Sequence, residues 1–171
     1  MPMSDYFKEL RAKIGKQLLV SPSVTGIILD EKSRILLLRH SEGNVWVAPG
    51  GSVEPNENPA DALIREVWEE SGLIVEPVKI LGVFGGEGFE VTYKNGDRVS
   101  YVMTVFACRV IGGTLKTDGI ETLQAGYFSR EEIVSIKASA WILNVLPYVY
   151  DDTGRAYFRP GTWLPGSTQS G

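Results

Sequence analysis

The chain has 171 residues, with 17 Lys and Arg against 21 Asp and Glu, which gives a formal net charge of −4. This length fits one domain around a single core. Apolar residues form 43% of the chain and charged residues 22%, proportions that exclude a wholly disordered, collagen-like or disulfide-scaffold protein. Because the charge balance is mildly acidic, we expect no nucleic acid polymer as a partner.

The cysteine count and the apolar stretches constrain the compartment. Cys108 is the only cysteine, so neither an intrachain disulfide nor a zinc site built from several thiolates can form. The longest nearly apolar stretch, residues 101–110, is far shorter than the roughly 20 residues of a membrane helix. Charged residues across positions 5–16 leave no room for a secretory signal. We therefore expect a cytoplasmic protein that begins at or near Met1 and has no membrane partner.

The first predicted elements are a helix and a pair of strands. Apolar residues at helical spacing lie between Ser4, an N-cap residue, and Gly15, which ends the helix. Residues 18–29 and 34–39 are mostly aliphatic or β-branched and are separated by the turn residues 30–33. This pattern predicts a hairpin of two buried strands.

The most clearly bounded helix is predicted at residues 59–71. Asn58 supplies an N-cap, Pro59 suits the first turn, and Gly72 suits the left-handed residue that ends a helix.

Strands follow this helix, with a glycine-rich bend at residues 85–88. They are predicted at residues 73–84, 89–94 and 98–110. Asn95-Gly96, between the last two, predicts a type I′ turn, in which both central residues have positive φ.

The last part of the chain is predicted to hold one more strand, two helices and an arm. The strand ends at Tyr127-Phe128, a capping box at residues 129–132 opens a helix, and a final helix covers residues 138–149. Glycine and proline without a sustained period predict an irregular arm over residues 151–171, its last six residues mobile. We expect one domain over residues 1–150, an α/β protein with a mixed sheet covered by helices.

An acidic cluster on the helix at residues 59–71 carries the chemistry. Glu66, Glu69 and Glu70 share one helix face, and like charges at this spacing cost about 0.2–0.5 kcal/mol per pair. The guanidinium of Arg65 cannot neutralise three carboxylates, whereas a divalent cation can. Oxygen ligands favour Mg²⁺, with Mn²⁺ as an alternative. Such a metal neutralises phosphate charge and activates water.

The spacing around this cluster decides between a metal site and an ordinary solvated helix face. An isolated acidic cluster is more often a solvated face. Here Gly51 is followed by five residues, Glu57, seven residues, and then Arg65-Glu66-Val67-Trp68-Glu69-Glu70-Ser71-Gly72-Leu73. The stretch from Gly51 to Leu73 resembles the Nudix box, GX5EX7REUXEEXGU, with every specified position filled. The chain therefore resembles the Nudix hydrolase family.

The resemblance implies an α/β/α sandwich with a mixed β-sheet, and it extends to residues 46–50 and 127–129. By this similarity three carboxylates hold metal or act in catalysis, the Gly50 carbonyl is a further metal ligand, and Arg65 orients a catalytic carboxylate. The three carboxylates are Glu66, Glu69 and Glu70. Glu57 braces the loop, and Gly51 and Gly72 are structural positions of the motif. The general base comes either from the box or from a later loop.

Residues outside the box have weaker signals. Glu121 is the best later candidate for metal binding or base work, with an exposed loop acid as the equal alternative. His40 could contact substrate, although a solvated histidine at a strand end is commoner. Cys108 fits inert packing. Aromatic residues such as Tyr93 and Tyr101 could stack on a nucleobase, but aromatic residues on strands more often belong to the core.

These observations predict Mg²⁺-dependent hydrolysis of a diphosphate linkage in a nucleoside diphosphate derivative or a nucleoside triphosphate. The partner is a small nucleotide substrate. The alternative is a noncatalytic nucleotide-binding sensor with the same fold, which would not need three mutually repelling acids. A third hypothesis, an interaction protein, rests on the aromatic arm alone. The arm is expected to dock on the main domain or on a second subunit, and the latter arrangement would give a homodimer.

Overall fold

The structure, a computed structural model, describes residues 4–150 and 154–165. Helices and strands alternate through these residues, and their bounds are as follows. The helices are α1 (Asp5–Ile14), α2 (Pro59–Ser71), α3 (Arg130–Ser135) and α4 (Ala140–Tyr150). The strands are β1 (Leu19–Ile28), β2 (Ile35–His40), β3 (Val45–Val47), β4 (Gly50–Ser52), β5 (Leu73–Phe84), β6 (Glu90–Thr92), β7 (Arg98–Gly113), β8 (Thr122–Phe128) and β9 (Tyr157–Phe158). Within the described ranges, none of the helices has the length and apolar character that a membrane crossing needs.

The strands form two sheets with helices on both sides. The larger sheet has the order β4-β1-β7-β5-β9, with β6 beside β7. It is mixed, because β1 runs parallel to β7 while β5 runs antiparallel to it. The smaller sheet, β3-β2-β8, is antiparallel. One apolar core joins Leu63 and Val67 of α2 to the sheets, and a second joins Ile133 of α3 and Ile142 of α4 to them. The predicted α/β/α arrangement with a mixed sheet is confirmed.

Helix α2 begins and ends at the predicted residues. The Asn58 side chain accepts a hydrogen bond from the Ala60 N–H at 2.8 Å. Gly72 is left-handed, with φ +69°, and its N–H donates to the Trp68 carbonyl at 2.8 Å. A Cβ at Gly72 would lie 2.7 Å from the Thr114 carbonyl oxygen, so glycine is required on both counts.

The predicted hairpin between β1 and β2 is wrong, although both strands and the turn exist. The Asp30 N–H donates to the Arg34 carbonyl at 3.0 Å, and a single bridge joins Leu29 to Ile35. Beyond this turn the two strands enter different sheets. Both edges of β1 are occupied, by β4 and β7, and both edges of β2 by β3 and β8. Pairing with other strands therefore replaces the predicted hairpin.

The predicted hairpin at Asn95-Gly96 is confirmed as the β6–β7 pair, but its turn is not type I′. In this turn only Gly96 has positive φ, at +87°. The Gly96 N–H donates to the Tyr93 carbonyl at 2.8 Å, and the Tyr93 N–H donates to the Asp97 carbonyl at 2.9 Å. This is a three-residue loop with glycine in the left-handed position. The Asn95 side chain stabilises it by accepting from the Asp97 N–H at 2.9 Å.

Helix α1 lies against the β6–β7 hairpin, and the arm packs on the larger sheet. Helix α1 is confirmed, with Ser4 as its N-cap and Gly15 as its C-cap. The capping box that opens α3 is also confirmed. The sequence pattern predicts no strand in the arm, yet Tyr157 and Phe158 form β9, which runs parallel to β5. Tyr157 stacks on Tyr148 with ring centroids 4.1 Å apart, so the arm docks on the main domain. The predicted mobile end, residues 166–171, lies outside the described residues.

Candidate active site

Two adjacent glycines on β4 create the space in which the acidic face of α2 lies. Gly50 and Gly51 pair with Thr25 and Val24 of β1. A Cβ on Gly51 would lie 2.4 Å from the carboxyl carbon of Glu66, and a Cβ on Gly50 would lie 2.2 Å from the Val24 carbonyl oxygen. Glycine at both positions lets the carboxylates of α2 approach the backbone of β4.

The carboxylates of Glu66 and Glu70 both lie at this glycine strand. Glu66 is 5% exposed and Glu70 is 9% exposed. The Gly50 N–H donates to Glu70 Oε2 at 2.9 Å. Because a carboxylate leaves water at considerable cost, two buried carboxylates one helical turn apart indicate a site that binds a positive charge.

Arg65 connects the loop before α2 to the acidic face. Its guanidinium binds Glu57 in a bidentate manner, with both N···O distances 2.8 Å. It also donates to the Ser52 carbonyl at 3.1 Å, to Glu66 Oε1 at 2.9 Å and to Glu69 Oε2 at 3.4 Å. The hydrogen bonds from Arg65 lower the pKa of Glu57, against the opposing effect of burial. Arg65 thus contacts the buried carboxylate of Glu66, and Glu57 holds Arg65 from the loop before α2.

Burial alters the protonation of Glu66. Removal from water raises its pKa from 4.5 to about 7, and the negative charge of Glu70 adds to this effect. The hydrogen bond from Arg65 acts in the opposite direction. In the metal-free protein Glu66 is therefore mostly protonated below about pH 7, and a bound cation would displace that proton.

His40 and Glu121 come from other elements to the same place. His40 ends β2, and its Nε2 lies 3.4 Å from Glu70 Oε1. Glu121 precedes β8, and its carbonyl accepts from the Ser41 N–H at 2.8 Å. The carboxylate of Asp118 orders this loop by accepting backbone hydrogen bonds, including one from Glu121 at 3.1 Å. His40, Glu121, Glu66 and Glu70 line one cleft.

Two sequence candidates lie elsewhere. Glu69 is on the exposed side of α2 and does not line the cleft; its contact with Arg65 is its link to the site. Cys108 packs in β7 against the core beneath α2, and burial raises the pKa of its thiol to about 12. The inert role expected of Cys108 agrees with this environment.

The cleft measures about 800 Å³ and extends well beyond the acidic residues. Its far end is lined by side chains that sequence reasoning did not single out, including Phe7 and Arg11 of α1 and Asp97 of the β6–β7 loop. Asp97 is more than 80 positions from Phe7 and from Arg11 in the chain. No local sequence pattern therefore predicts that they lie close together. Arg11 has no acidic residue three or four positions away on α1. This is the sequence feature that could have suggested a distant acidic partner.

The residues at the acidic end fit Mg²⁺. In the part of the chain that the structure describes, no three Asp, Glu, His or Cys side chains form a ready-made metal cage. Mg²⁺ does not require one, because it keeps several waters and takes one or two carboxylates together with substrate phosphates. Glu66 and Glu70 supply such oxygens, and the glycine strand beside them leaves room for the ion.

Comparison with known proteins agrees with this fold. The family model described as NUDIX domain matches residues 20–149. A MutT-like protein of Streptomyces ambofaciens is 33% identical over 126 residues, which cover 74% of this chain and 75% of that protein. The 8-oxo-dGDP phosphatase NUDT18 of Mus musculus is 34% identical over 113 residues, which cover 63% of this chain but 32% of the mouse protein.

A solved structure has the same architecture. The crystal structure of the MutT protein from Methanosarcina mazei Go1 gives a TM-score of 0.67 at 27% identity, and the match covers 81% of this chain and 99% of that one. An α/β/α fold with an acidic helix against a glycine strand defines a Nudix-type protein. The chain belongs to the Nudix family and is a Nudix hydrolase.

Proposed function

We propose that the protein hydrolyses a diphosphate linkage in a nucleoside diphosphate derivative or a nucleoside triphosphate, with Mg²⁺ as its cofactor and Mn²⁺ as a substitute. The observation that carries this proposal is the buried pair Glu66 and Glu70 against Gly50 and Gly51, at one end of a cleft of about 800 Å³. The name of the mouse relative, an 8-oxo-dGDP phosphatase, supports a substrate that contains a nucleoside diphosphate.

The metal-binding residues in this proposal are oxygen donors on β4, on α2 and in the loop before β8. They are the carbonyl of Gly50 and the carboxylates of Glu66, Glu69, Glu70 and Glu121. When bound, Mg²⁺ neutralises phosphate charge and lowers the pKa of a coordinated water.

The other motif residues position these ligands. Arg65 holds Glu66 and is itself held by Glu57, which keeps the acidic face aligned with the loop before α2. Gly51 and Gly72 permit the close packing at the two ends of the motif. In the reaction, a bond forms between the water oxygen and phosphorus while the phosphorus–oxygen bond of the anhydride breaks. The proton of the water goes either to a carboxylate within the Nudix box or to the carboxylate of Glu121. The leaving phosphate carries away the negative charge.

A substrate panel tests the proposal. Purified protein is incubated with ADP-ribose, a nucleotide sugar, a dinucleotide, 8-oxo-dGDP and a nucleoside triphosphate in Mg²⁺ and then in Mn²⁺. The products are identified by phosphorus NMR in ¹⁸O-labelled water. We expect turnover of at least one member, with the label in a phosphate product and no turnover in EDTA.

A failure of the whole panel in both metals would contradict the proposal. If a nucleotide instead binds tightly in Mg²⁺ and remains intact over many hours, the result supports the noncatalytic sensor.

A cytoplasmic location and a two-fold homodimer stay predictions.

A further inference from the structure

The end of the cleft opposite the acidic residues is closed by an element outside the matched family region. Helix α1 covers residues 5–14, whereas the family model begins at residue 20. Phe7 and Arg11 of this helix line the cleft, and so does the β6–β7 loop. None of the ten residues of α1, all of which are described, is fully buried. Its apolar residues Phe7, Leu10 and Ile14 are only half-buried, so apolar burial alone is a weak anchor for this helix.

Polar contacts fix α1 in this place. The Arg11 guanidinium donates to the Gln17 carbonyl at 2.7 Å and to the Arg98 carbonyl, at the start of β7, at 2.8 Å. Its Nε lies 3.7 Å from the Asp97 carboxylate, and both side chains are only about a tenth exposed. Lys16 Nζ lies 3.4 Å from the same carboxylate and donates to the Asn95 carbonyl. The helix is thus anchored to the hairpin loop rather than to the core.

The far end of the cleft differs chemically from the acidic end. Along β1, Thr25 pairs with Gly50 at the acidic end, whereas Leu19 pairs with Val99 at the far end. Six strand residues span about 20 Å, so the two ends are well separated. At the far end Phe7 is half-buried, and the hydroxyls of Tyr93 and Tyr101 share a hydrogen bond. The far end therefore presents aromatic side chains and hydroxyl groups beside the ion pair of Arg11 with Asp97.

We propose that this far end is a nucleobase subsite and that Phe7, supplied by α1, stacks on the base and helps to determine specificity. A planar base matches an aromatic side wall in shape and in π-character. The Tyr93 and Tyr101 hydroxyls can exchange their mutual hydrogen bond for bonds to the edge of the base. This inference rests on the proposed function for the placement of the phosphates at the acidic end.

Binding of nucleoside monophosphates tests the subsite, because these probes contain no diphosphate bond and stay intact. AMP, GMP and UMP are titrated in Mg²⁺ by calorimetry, and saturation transfer to the base protons is recorded by NMR. We expect Phe7→Ala and Phe7→Leu to weaken binding of the best probe about tenfold, which corresponds to about 1.4 kcal/mol. Phe7→Trp should bind within about twofold of the parent.

Leu10→Ala provides the matched control, because Leu10 is a half-buried apolar residue of the same helix that does not line the cleft. It should leave binding unchanged. Phe7→Leu keeps the apolar volume, so the test stands even where Phe7→Ala fails to fold. The subsite is overturned if the parent binds none of the three probes, or if Phe7→Leu binds them as tightly as the parent.

The outcomes separate this inference from the proposed function. Binding that depends on an aromatic residue at position 7, with no turnover of any substrate, supports the subsite and contradicts the hydrolase proposal. Turnover whose KM is the same for the parent and Phe7→Leu overturns the subsite and leaves the hydrolase proposal in place.

Discussion

Glu66 lies with its carboxylate against the bare Cα of Gly51, and this one contact links the backbone to the chemistry of the site. The side chain that a metal ion would bind can be there only because the neighbouring residue has no Cβ. The acidic residues, Arg65 and Glu57 could all be predicted because their spacing along the chain is local. The burial that shifts the pKa of Glu66 could not, since it depends on how β4 packs on α2.

Gly51→Ala should damage both the site and the fold. The new Cβ would lie 2.4–2.5 Å from the Glu66 carboxylate, and such overpacking costs about 1–3 kcal/mol. We expect a lower midpoint in thermal denaturation and at least about tenfold lower turnover, since the displaced carboxylate no longer meets the ion. Gly161→Ala is the control, because a Cβ there has no neighbour within 4 Å. Equal stability and turnover in both variants would contradict the packing argument.

The metal-free protein should lose stability as the pH rises towards neutrality. The folded state raises the pKa of Glu66 from 4.5 to about 7, so it binds a proton more tightly than the unfolded state. The stabilisation from Glu66 is full below about pH 4.5 and is lost as the pH rises to about 7. The loss amounts to about 3 kcal/mol, at 1.36 kcal/mol for each pKa unit.

Urea unfolding in EDTA between pH 4.5 and pH 8 measures this effect. Glu66→Gln stays neutral and should flatten the decline in the free energy of unfolding. The free energy of unfolding of Glu66→Gln minus that of the parent should therefore be larger above about pH 7 than near pH 4.5. An equally steep decline in both proteins would show that another group is responsible.

Glu69→Gln and Glu70→Gln should each remove most turnover while the fold stays intact. Each change removes one proposed negative ligand, and a metal ion contributes several kcal/mol of transition-state stabilisation, so we expect a loss of about a hundredfold or more. The metal-free stability should hold or rise slightly, because repulsion along the helix is relieved. Kinetics and Mg²⁺ titration check both points, with the exposed Glu31→Gln as the charge-matched control. If a variant turns over substrate as fast as the parent, the glutamate that it replaces is not a metal ligand.

At the scale of elements, the sequence predicts where a helix begins and ends better than it predicts which strands pair. Asn58 and Gly72 bound α2 at the predicted residues, since caps act within one turn of helix. The partner of β1 could not be read in this way. Strand β7, its parallel neighbour, begins about 70 positions further along, and a parallel pair has no turn signature in the sequence. The contact of α1 with the β6–β7 loop could not be predicted either, because the two are also far apart in the chain.

Arg11→Met should loosen α1 without unfolding the sheets. The change keeps the length of the side chain but removes its hydrogen bonds to the Gln17 and Arg98 carbonyls and its approach to Asp97. We expect amide hydrogen exchange in α1 to rise at least about tenfold, because local opening becomes easier, while exchange in β1 and β7 is unchanged. Lys13→Met on the same helix is the control. Unaltered exchange in Arg11→Met would show that other contacts hold the helix.

At the scale of the whole molecule, the two cores are covered by helices from different parts of the chain. Helix α2 covers one core. The other lies beneath α3 and α4, and Tyr157 of the arm packs at its margin. The Tyr157 ring lies 5.1 Å from that of Phe84, while Phe158 and Trp163 are 70% and 62% exposed. The arm therefore has one side packed on its own domain and one side open to solvent.

Deletion of residues 151–171 should lower the stability of the protein. It removes β9 from the edge of β5 and takes Tyr157 from its stack on Tyr148 and Phe84. Each aromatic pair contributes about 0.5–1.5 kcal/mol beyond its buried area, so we expect the thermal midpoint to fall by about 5 °C. Light scattering on both proteins tests the predicted homodimer at the same time. A full-length monomer excludes the dimer, and a dimer that survives the deletion places the subunit contact elsewhere. An unchanged midpoint would show that the arm adds nothing to the core, whatever the oligomeric state.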